Sequence, residues 1–157
     1  LLSDVHDKIA AFDIAAILLE GAAKDDLAQK ITTLQPLCHE KNIALLIKDR
    51  FELVKELRVD GVHITKDETL LKQACGKLGK DFIVGAEAGL SRHRAMLMGE
   101  MGAEYIAFSG GTDSEIINMC NWWAPLFQIP CIGFFTGDNE AYHLNANIDF
   151  YGLRLGA

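Results

Sequence analysis

Two carboxylates follow neighbouring apolar segments at the points where these segments end. Asp49 comes directly after the apolar segment 45–47 and Lys48, and Glu68 comes four residues after the segment 61–64. Unbroken apolar segments of this kind are typical of parallel strands covered on both faces, and α/β proteins bind ligands at the carboxyl ends of such strands. Because one short helix is predicted to join the two segments, we expect Asp49 and Glu68 side by side. Adjacent carboxylates favour a Mg²⁺ ion and a phosphorylated ligand.

An alternative interpretation places the same residues in a surface ion pair without a ligand. Asp49 and Glu68 can pair with Arg50 or Lys66, and an exposed pair of this kind stabilises a protein by at most about 1 kcal/mol. The residues alone leave both interpretations open.

The loop formed by Ser109, Gly110, Gly111 and Thr112 is a candidate phosphate site. Adjacent glycines let backbone N–H groups approach a phosphate, and a helix is predicted to begin directly after the loop. The alternative is an ordinary turn between a strand and a helix, in which Asp113 or Ser114 is the N-cap of the helix.

His63 lies inside an apolar strand pattern. This position favours an interior histidine, hydrogen-bonded within the fold, over a catalytic base. Arg92, His93 and Arg94 open a predicted helix, where we expect them to form a solvated face.

Apolar strand candidates alternate with helical patterns along the whole chain. The strands are predicted at 14–19, 43–47, 61–64, 82–86, 105–108, 129–135 and 148–153, a spacing typical of repeated βα units. Between them, apolar residues recur with helical periodicity, as in Leu27, Ile31, Leu34 and Cys38. A last helix is predicted from Asn139 through Leu144.

The alternation predicts one domain over residues 1–157, a (β/α)8 TIM barrel whose first strand and last helix are missing from this sequence. An open doubly wound sheet is the alternative, but such sheets usually begin with a glycine-rich GxGxxG turn, and the sequence contains none.

Composition excludes several classes of protein. Half of the residues are hydrophobic, which excludes a disordered chain. A net charge of −7 and a pI near 5.1 argue against nucleic-acid binding. Apolar segments are far shorter than the ~20 residues of a membrane helix, and no signal peptide is recognisable. Four widely spaced cysteines favour reduced core thiols and a cytoplasmic protein.

The segments around Asp49 and Glu68 resemble thiamine-phosphate synthase and its TenI-like relatives, which are TIM barrels. The family pattern L-I-N-D-R corresponds to residues 46–50 here, and A-D-G-V-H-L-G-Q-x-D corresponds to the segment that begins at Val59. The strand end at Gly85, the segment 102–106 and the segment 129–133 follow in the family's order and spacing.

The resemblance implies an enzyme of thiamine biosynthesis, a transferase that couples a pyrimidine diphosphate to a thiazole phosphate and releases pyrophosphate with the help of Mg²⁺. It implies Asp49 and Glu68 as metal ligands and Asp49 and Lys66 as catalytic residues. The partners are therefore small phosphorylated molecules, and a homo-oligomer is left open. The implied substrate- and phosphate-binding residues are Lys48, Arg50, His63, Ser109, Gly110, Gly111, Thr112 and Gly133.

Several positions depart from the family pattern. Lys48 stands where the family has Asn, and Thr65-Lys66 where it has Gly-Gln; Glu87 stands at the position of a Ser. The family's G-P-x-x-T-x-T-K phosphate loop is replaced by residues 109–113, which contain no lysine. An anion at Glu87 would repel a diphosphate if its side chain faces the ligand.

Two main functions are thus compatible with the sequence, and whether the chain is an enzyme stays open. One is an active, divergent synthase. The other is a non-catalytic or functionally diverged member that binds a thiazole phosphate or another small phosphorylated ligand. An unrelated phosphate-handling barrel is a third possibility, but it leaves the spacing of the matched segments unexplained.

Overall fold

The computed structural model describes residues 2–21, 23–135 and 148–153, and within them strands and helices alternate. The strands are β1 (Ala16–Leu19), β2 (Ala44–Lys48), β3 (Gly61–Ile64), β4 (Ile83–Gly89), β5 (Ile106–Phe108), β6 (Cys131–Phe134) and β7 (Phe150–Gly152). The helices are α1 (Leu2–Ala11), α2 (Lys24–Lys41), α3 (Val54–Leu57), α4 (Glu68–Leu78), α5 (Arg92–Glu100) and α6 (Asp113–Trp123), with short 3-10 turns at Phe51–Leu53 and Gly79–Asp81. Each predicted strand is confirmed within a few residues, whereas the helix predicted from Asn139 lies outside the described residues.

The seven strands form one parallel sheet in sequence order, from β1 to β7. The order never reverses, unlike that of a doubly wound sheet, so that alternative is wrong. The sheet curls into a half-barrel. Pairing between β7 and β1 is absent from the described strands, so an eight-stranded closed barrel is not seen here.

The helices pack against the convex face of this sheet. The predicted stripe on α2, Leu27, Ile31, Leu34 and Cys38, is buried in one continuous core with the strands. Trp123 of α6 is 1% exposed, and its ring stacks on Phe127 with the centroids 3.9 Å apart. Helical periodicity in the sequence therefore identified the correct buried faces.

The concave face carries the alternate residues of the same strands. There Leu46, Tyr105 and Ala107 form a second apolar cluster, separate from the helix-facing core. Tyr105 lies directly over Gly85: a Cβ atom at that glycine would lie 1.9 Å from the ring carbon Cζ. The absence of a side chain at Gly85 is what lets the phenol reach across the neighbouring strand.

Helix α6 begins one residue earlier than the sequence suggested. Its N-cap is Thr112, whose hydroxyl accepts from the backbone N–H of Glu115, while the Glu115 carboxylate accepts from the N–H of Thr112. The predicted N-cap at Asp113 or Ser114 is therefore wrong, because this reciprocal capping box satisfies two N–H groups at once.

The four cysteines are free thiols, as expected. Burial raises the pKa of the Cys38 thiol, and the nearby charge of Asp60 adds to the effect. Among the described helices, none combines the length and the apolar character that crossing a bilayer requires.

The contact between Tyr105 and Gly85 can be tested with a pair of glycine substitutions. Gly85→Ala should lower the free energy of unfolding by about 3 kcal/mol, because the new methyl group overlaps the phenol ring. The matched control is Gly76→Ala in α4, where a Cβ meets nothing within 4 Å; helix propensity should make this variant more stable by up to about 1 kcal/mol. Urea unfolding followed by circular dichroism measures both changes, and equal effects at the two positions would contradict the packing argument.

Candidate functional site

Asp49 ties the carboxyl end of β2 to that of β3. Its two carboxylate oxygens accept hydrogen bonds from the backbone N–H and the hydroxyl of Thr65, each at 2.6 Å. Its own N–H donates to the carbonyl of His63 at 2.9 Å, and its φ angle is 58°. A left-handed conformation costs a non-glycine residue about 1 kcal/mol or more, so these bonds are what hold Asp49 in place.

Glu68 is the first residue of α4, after the N-cap Asp67, whose carboxylate accepts from the N–H of Leu70 at 2.8 Å. Within the described residues there is no group of three or more His, Cys, Asp or Glu side chains that could hold a metal. Asp49 and Glu68 follow the consecutive strands β2 and β3 at the carboxyl edge of the sheet.

The three basic residues predicted at this edge have different surroundings. Lys48 lies beside His63 in the strand register, and its ammonium is 3.9 Å from the carboxylate of Glu20. Arg50 pairs with Glu52 at 2.5 Å. Burial alone raises the pKa of Glu52, but hydrogen bonds from Arg50 and from the backbone, together with the charges of Arg50 and Lys66, outweigh it, so the pKa is lowered. Arg50 thus pairs with Glu52, and both oxygens of the Asp49 carboxylate accept hydrogen bonds from Thr65.

His63 is 2% exposed and stands at the centre of a chain of hydrogen bonds across three strands. Its Nδ1 lies 2.7 Å from the Tyr105 hydroxyl, and its Nε2 lies 3.0 Å from the carboxylate of Glu87. The hydroxyl of Ser109 donates to the other oxygen of Glu87 at 2.5 Å. An interior, hydrogen-bonded histidine was expected, and both ring nitrogens have partners within the fold, which leaves neither one directed at a phosphate.

The loop from Ser109 to Thr112 uses several of its own polar groups. The hydroxyl of Ser109 bonds to Glu87, and the N–H and hydroxyl of Thr112 belong to the capping box of α6. Gly110 has a φ angle of 86°, and a Cβ at Gly111 would lie 2.5 Å from the Glu115 carboxylate. The N–H groups of Gly110 and Gly111 donate to no backbone carbonyl among the described residues.

Gly133 is buried in β6 and faces α6. A Cβ there would lie 2.7 Å from the ring of Phe135 and 3.1 Å from Ile116. Packing therefore explains this glycine without a ligand.

Arg94 is a site residue that the sequence did not identify. Its guanidinium donates to the carbonyl of Glu87 at 3.0 Å and to the carbonyls of Thr65 and Lys66 at 3.1 Å each. The expectation of a solvated face is wrong for this residue, because Arg94 points from α5 across the carboxyl ends of β3 and β4. The sequence held one signal that Arg94 lies near the core. It directly precedes Ala95 and stands four residues before Met98, and the structure buries both of these apolar residues fully.

A shallow depression of about 350 Å³ lies at the opposite edge of the sheet, lined by residues that include Cys38, Asn42 and Asp60. These residues precede strands rather than follow them. In barrels of this type that edge serves stability, whereas the carboxyl edge carries the chemistry. We therefore take the candidate site to be the carboxyl edge, formed by Lys48, Asp49, His63, Thr65, Lys66, Glu68, Glu87, Arg94, Ser109, Gly110 and Gly111.

Comparisons with known proteins agree on one family. The model of the family described as thiamine monophosphate synthase matches residues 5–116. The thiamine-phosphate synthase of Erythrobacter litoralis is 33% identical in an alignment that covers 86% of this chain and 69% of that protein. The thiamine-phosphate synthase of Hyphomonas neptunium is 32% identical in an alignment that covers 97% of this chain and 76% of that protein.

Among solved structures, thiamine phosphate pyrophosphorylase from Pyrococcus furiosus superposes with a TM-score of 0.73 at 19% identity. The match covers 88% of this chain and 72% of that one. At this identity the likeness concerns the fold alone.

The role of Arg94 can be tested by removing its charge. Arg94→Met should lower the free energy of unfolding by about 2 kcal/mol, because three carbonyls lose a charged donor. Arg92→Met is the matched control: Arg92 is exposed and lies over the Trp122 ring at 4.9 Å, a contact of about 0.5 kcal/mol. Urea unfolding compares the two variants, and losses of equal size would show that Arg94 does not link the two strand ends.

Tyr105 should make stability depend on pH in the alkaline range. Burial, with a smaller contribution from the charge of Glu87, raises the pKa of its phenol, whereas the unfolded chain ionises it near 10. The folded state thus holds the proton more tightly, and the associated stability is complete below the unfolded pKa and is lost as the pH rises above it.

We therefore expect the free energy of unfolding to fall more steeply between about pH 9 and 11 in the wild type than in Tyr105→Phe. Urea unfolding at several pH values in this range gives the two slopes. Identical slopes would contradict a neutral, buried phenol. In that case the two proteins would differ in unfolding free energy by the same amount at every pH, and this amount would reflect only the lost hydrogen bond to His63.

Proposed function

Because the chain belongs to the thiamine monophosphate synthase family, we propose that it acts in thiamine biosynthesis and couples a pyrimidine diphosphate to a thiazole phosphate. The observation that carries this proposal is the extent of the family match. Residues 5–116 contain Asp49, Glu68 and the loop from Ser109 to Thr112, which lie at or beside the carboxyl ends of β2, β3 and β5.

The proposed reaction consists of one bond broken and one bond formed. The bond between the pyrimidine's methylene carbon and the pyrophosphate oxygen breaks, and its electron pair leaves with pyrophosphate. The thiazole nitrogen then donates its lone pair to the pyrimidine carbocation and forms the new C–N bond. No proton has to be removed, so the protein's task is to neutralise phosphate charge and to shield the cation from water.

Residues of the carboxyl edge suit this task. Asp49, held by Thr65, and Glu68 at the start of α4 would hold Mg²⁺, which supplies positive charge to the departing pyrophosphate when it is bound. Lys48 and Lys66 add cations where the family has neutral amides; Lys48 directly precedes Asp49, and Lys66 stands two residues before Glu68. The N–H groups of Gly110 and Gly111 are suited to phosphate oxygens.

His63 has a different role in this proposal from the phosphate contact that the resemblance implied. Its two ring nitrogens bond to Tyr105 and Glu87, so it orients the Glu87 carboxylate. Arg94 likewise acts through other residues of the site, because it donates hydrogen bonds to the backbone carbonyls of Thr65, Lys66 and Glu87 and so fixes their positions.

We also propose that the curled sheet is part of a single-domain, eight-stranded barrel that works in the cytoplasm. Its helix-facing core, its sequential strand order and the free thiols of its cysteines support this architecture and location.

A second candidate function is binding of a thiazole phosphate without synthesis. One feature favours it: the loop from Ser109 to Thr112 has no lysine, and two of its residues bond within the protein. A loop of this kind offers a pyrophosphate fewer donors than a lysine-containing one.

The experiment that separates the two functions is a direct assay. The purified protein is mixed with the pyrimidine diphosphate, the thiazole phosphate and Mg²⁺, and thiamine phosphate is measured by chromatography. Asp49→Asn should lower the rate about a hundredfold or more, because it removes the charge that holds the metal and keeps an acceptor for Thr65.

The matched control is Asp81→Asn, an exposed residue before β4 at the opposite edge, which should leave the rate unchanged. Absence of product from the folded wild type would rule out the synthase. Heat released by the thiazole phosphate alone in a calorimetric titration would then support the binding function.

A further inference from the structure

We propose that the outer face of α5, together with the adjoining surface of α6, is the interface of a symmetric homodimer. In this dimer the α5 helices of two copies of the chain pack against each other in antiparallel directions. The inference is independent of the proposed function, because it concerns the solvent-facing side of the helices and not the carboxyl edge of the sheet.

Exposed apolar side chains are concentrated on these two helices. Six large hydrophobic residues are exposed in the described part of the chain, and three of them lie here: Leu90 is 38% exposed, Met96 39% and Leu126 64%. Leu90 precedes α5, Met96 lies in its middle, and Leu126 follows α6. Single exposed apolar residues are ordinary, whereas several on one surface indicate an interaction site.

Contacts between α5 and α6 make this surface continuous. The guanidinium of Arg92 lies over the half-buried Trp122 ring, 4.9 Å from its centroid. A Cβ atom at Gly99 would lie 3.4 Å from the Trp123 ring, and a Cβ at Gly111 would lie 2.6 Å from Cδ1 of Leu90. The surface therefore extends along both helices, from Leu90 at one end towards the residues that follow Trp123 at the other.

The outer face of α5 carries opposite charges at its two ends. Arg92, Met96 and Glu100 are spaced four residues apart, so they lie on one face of the helix, and all three are exposed. The opposite face carries Ala95 and Met98, which are fully buried. An apolar side chain thus stands in the middle of the exposed face, between a cation and an anion.

This arrangement is complementary to itself. Arg92 and Glu100 are about 12 Å apart along the helix axis, too far to pair with each other, and neither forms an ion pair with another residue that the structure describes. A two-fold axis beside Met96 brings Arg92 of each copy opposite Glu100 of the other, and it places the two Met96 side chains in contact. The charge pattern therefore fits a second copy of this chain.

The stacking of Arg92 on Trp122 prepares the cation for such a pair. A guanidinium that lies flat on an indole keeps its N–H groups at the edge, where they can donate to a carboxylate. The same two-fold axis exchanges the two ends of the surface, so Leu126 of one copy lies towards Leu90 of the other. A surface of a few side chains supports a weak dimer, with a dissociation constant on the order of 10 μM.

Sedimentation equilibrium over a range of protein concentrations tests the dimer directly. The wild type should change from monomer to dimer between about 1 and 100 μM. Met96→Asp should weaken the dimer at least about tenfold, because it places two carboxylates face to face at the two-fold axis.

Reversing the charges tests the antiparallel arrangement itself. Arg92→Glu alone and Glu100→Arg alone should each remain monomeric at 10 times the wild-type dissociation constant or about 100 μM, because like charges then oppose each other twice. An equimolar mixture of the two variants should dimerise about as tightly as the wild type does, since every pair across the interface is again of opposite sign.

Lys72→Glu is the matched control, because it makes the same change of charge as Arg92→Glu at an exposed position of α4; it should dimerise as the wild type does. A wild type that stays monomeric throughout this range would overturn the inference, and that measurement needs no variant to fold. A dimer that persists unchanged in a folded Met96→Asp variant would overturn it too, since the copies would then meet through another surface. Failure of the two charge variants to associate when mixed would rule out the antiparallel pairing of α5.

Discussion

Polar groups on the concave face must be satisfied from within the sheet, because the described helices pack against its other side. A buried imidazole without partners would cost several kcal/mol. The chain from Tyr105 through His63 to Glu87 meets this requirement with side chains of three neighbouring regions, and Ser109 completes it from the following loop. Gly85 permits the arrangement by leaving room for the phenol ring.

The loops that surround this chain are held by bonds to the backbone. Arg94 joins the ends of β3 and β4 through three carbonyls, and Asp49 joins β2 to β3 through Thr65. A ligand site needs side chains whose positions are fixed before the ligand arrives. Here the hydrogen bonds of Arg94 and Asp49 fix the positions of the loops at the carboxyl edge.

The chain combines retained and altered parts of its family's site. Asp49 and Glu68 keep the carboxylates, whereas Lys48, Lys66 and Glu87 change the charge around them. Lys48 and Lys66 add positive charge to the carboxyl edge and Glu87 adds negative charge, so the altered residues change which groups of a ligand this edge attracts.

The amino-acid sequence by itself determined the alternation of strands and helices, the buried stripe of α2 and the family. These features depend on local periodicity and on short motifs, which are readable one segment at a time. It also placed Asp49 and the glycine loop after the ends of β2 and β5, because both follow apolar segments directly. What only the tertiary structure decided is which groups meet across strands.

Arg94 looked like one of three surface residues, and Thr112 looked like part of a phosphate loop. The direction of Glu87, the phenol over Gly85 and the bond from Thr65 to Asp49 all depend on strand register and sheet curvature. Those quantities arise from packing of residues far apart in the chain, and no local pattern encodes them.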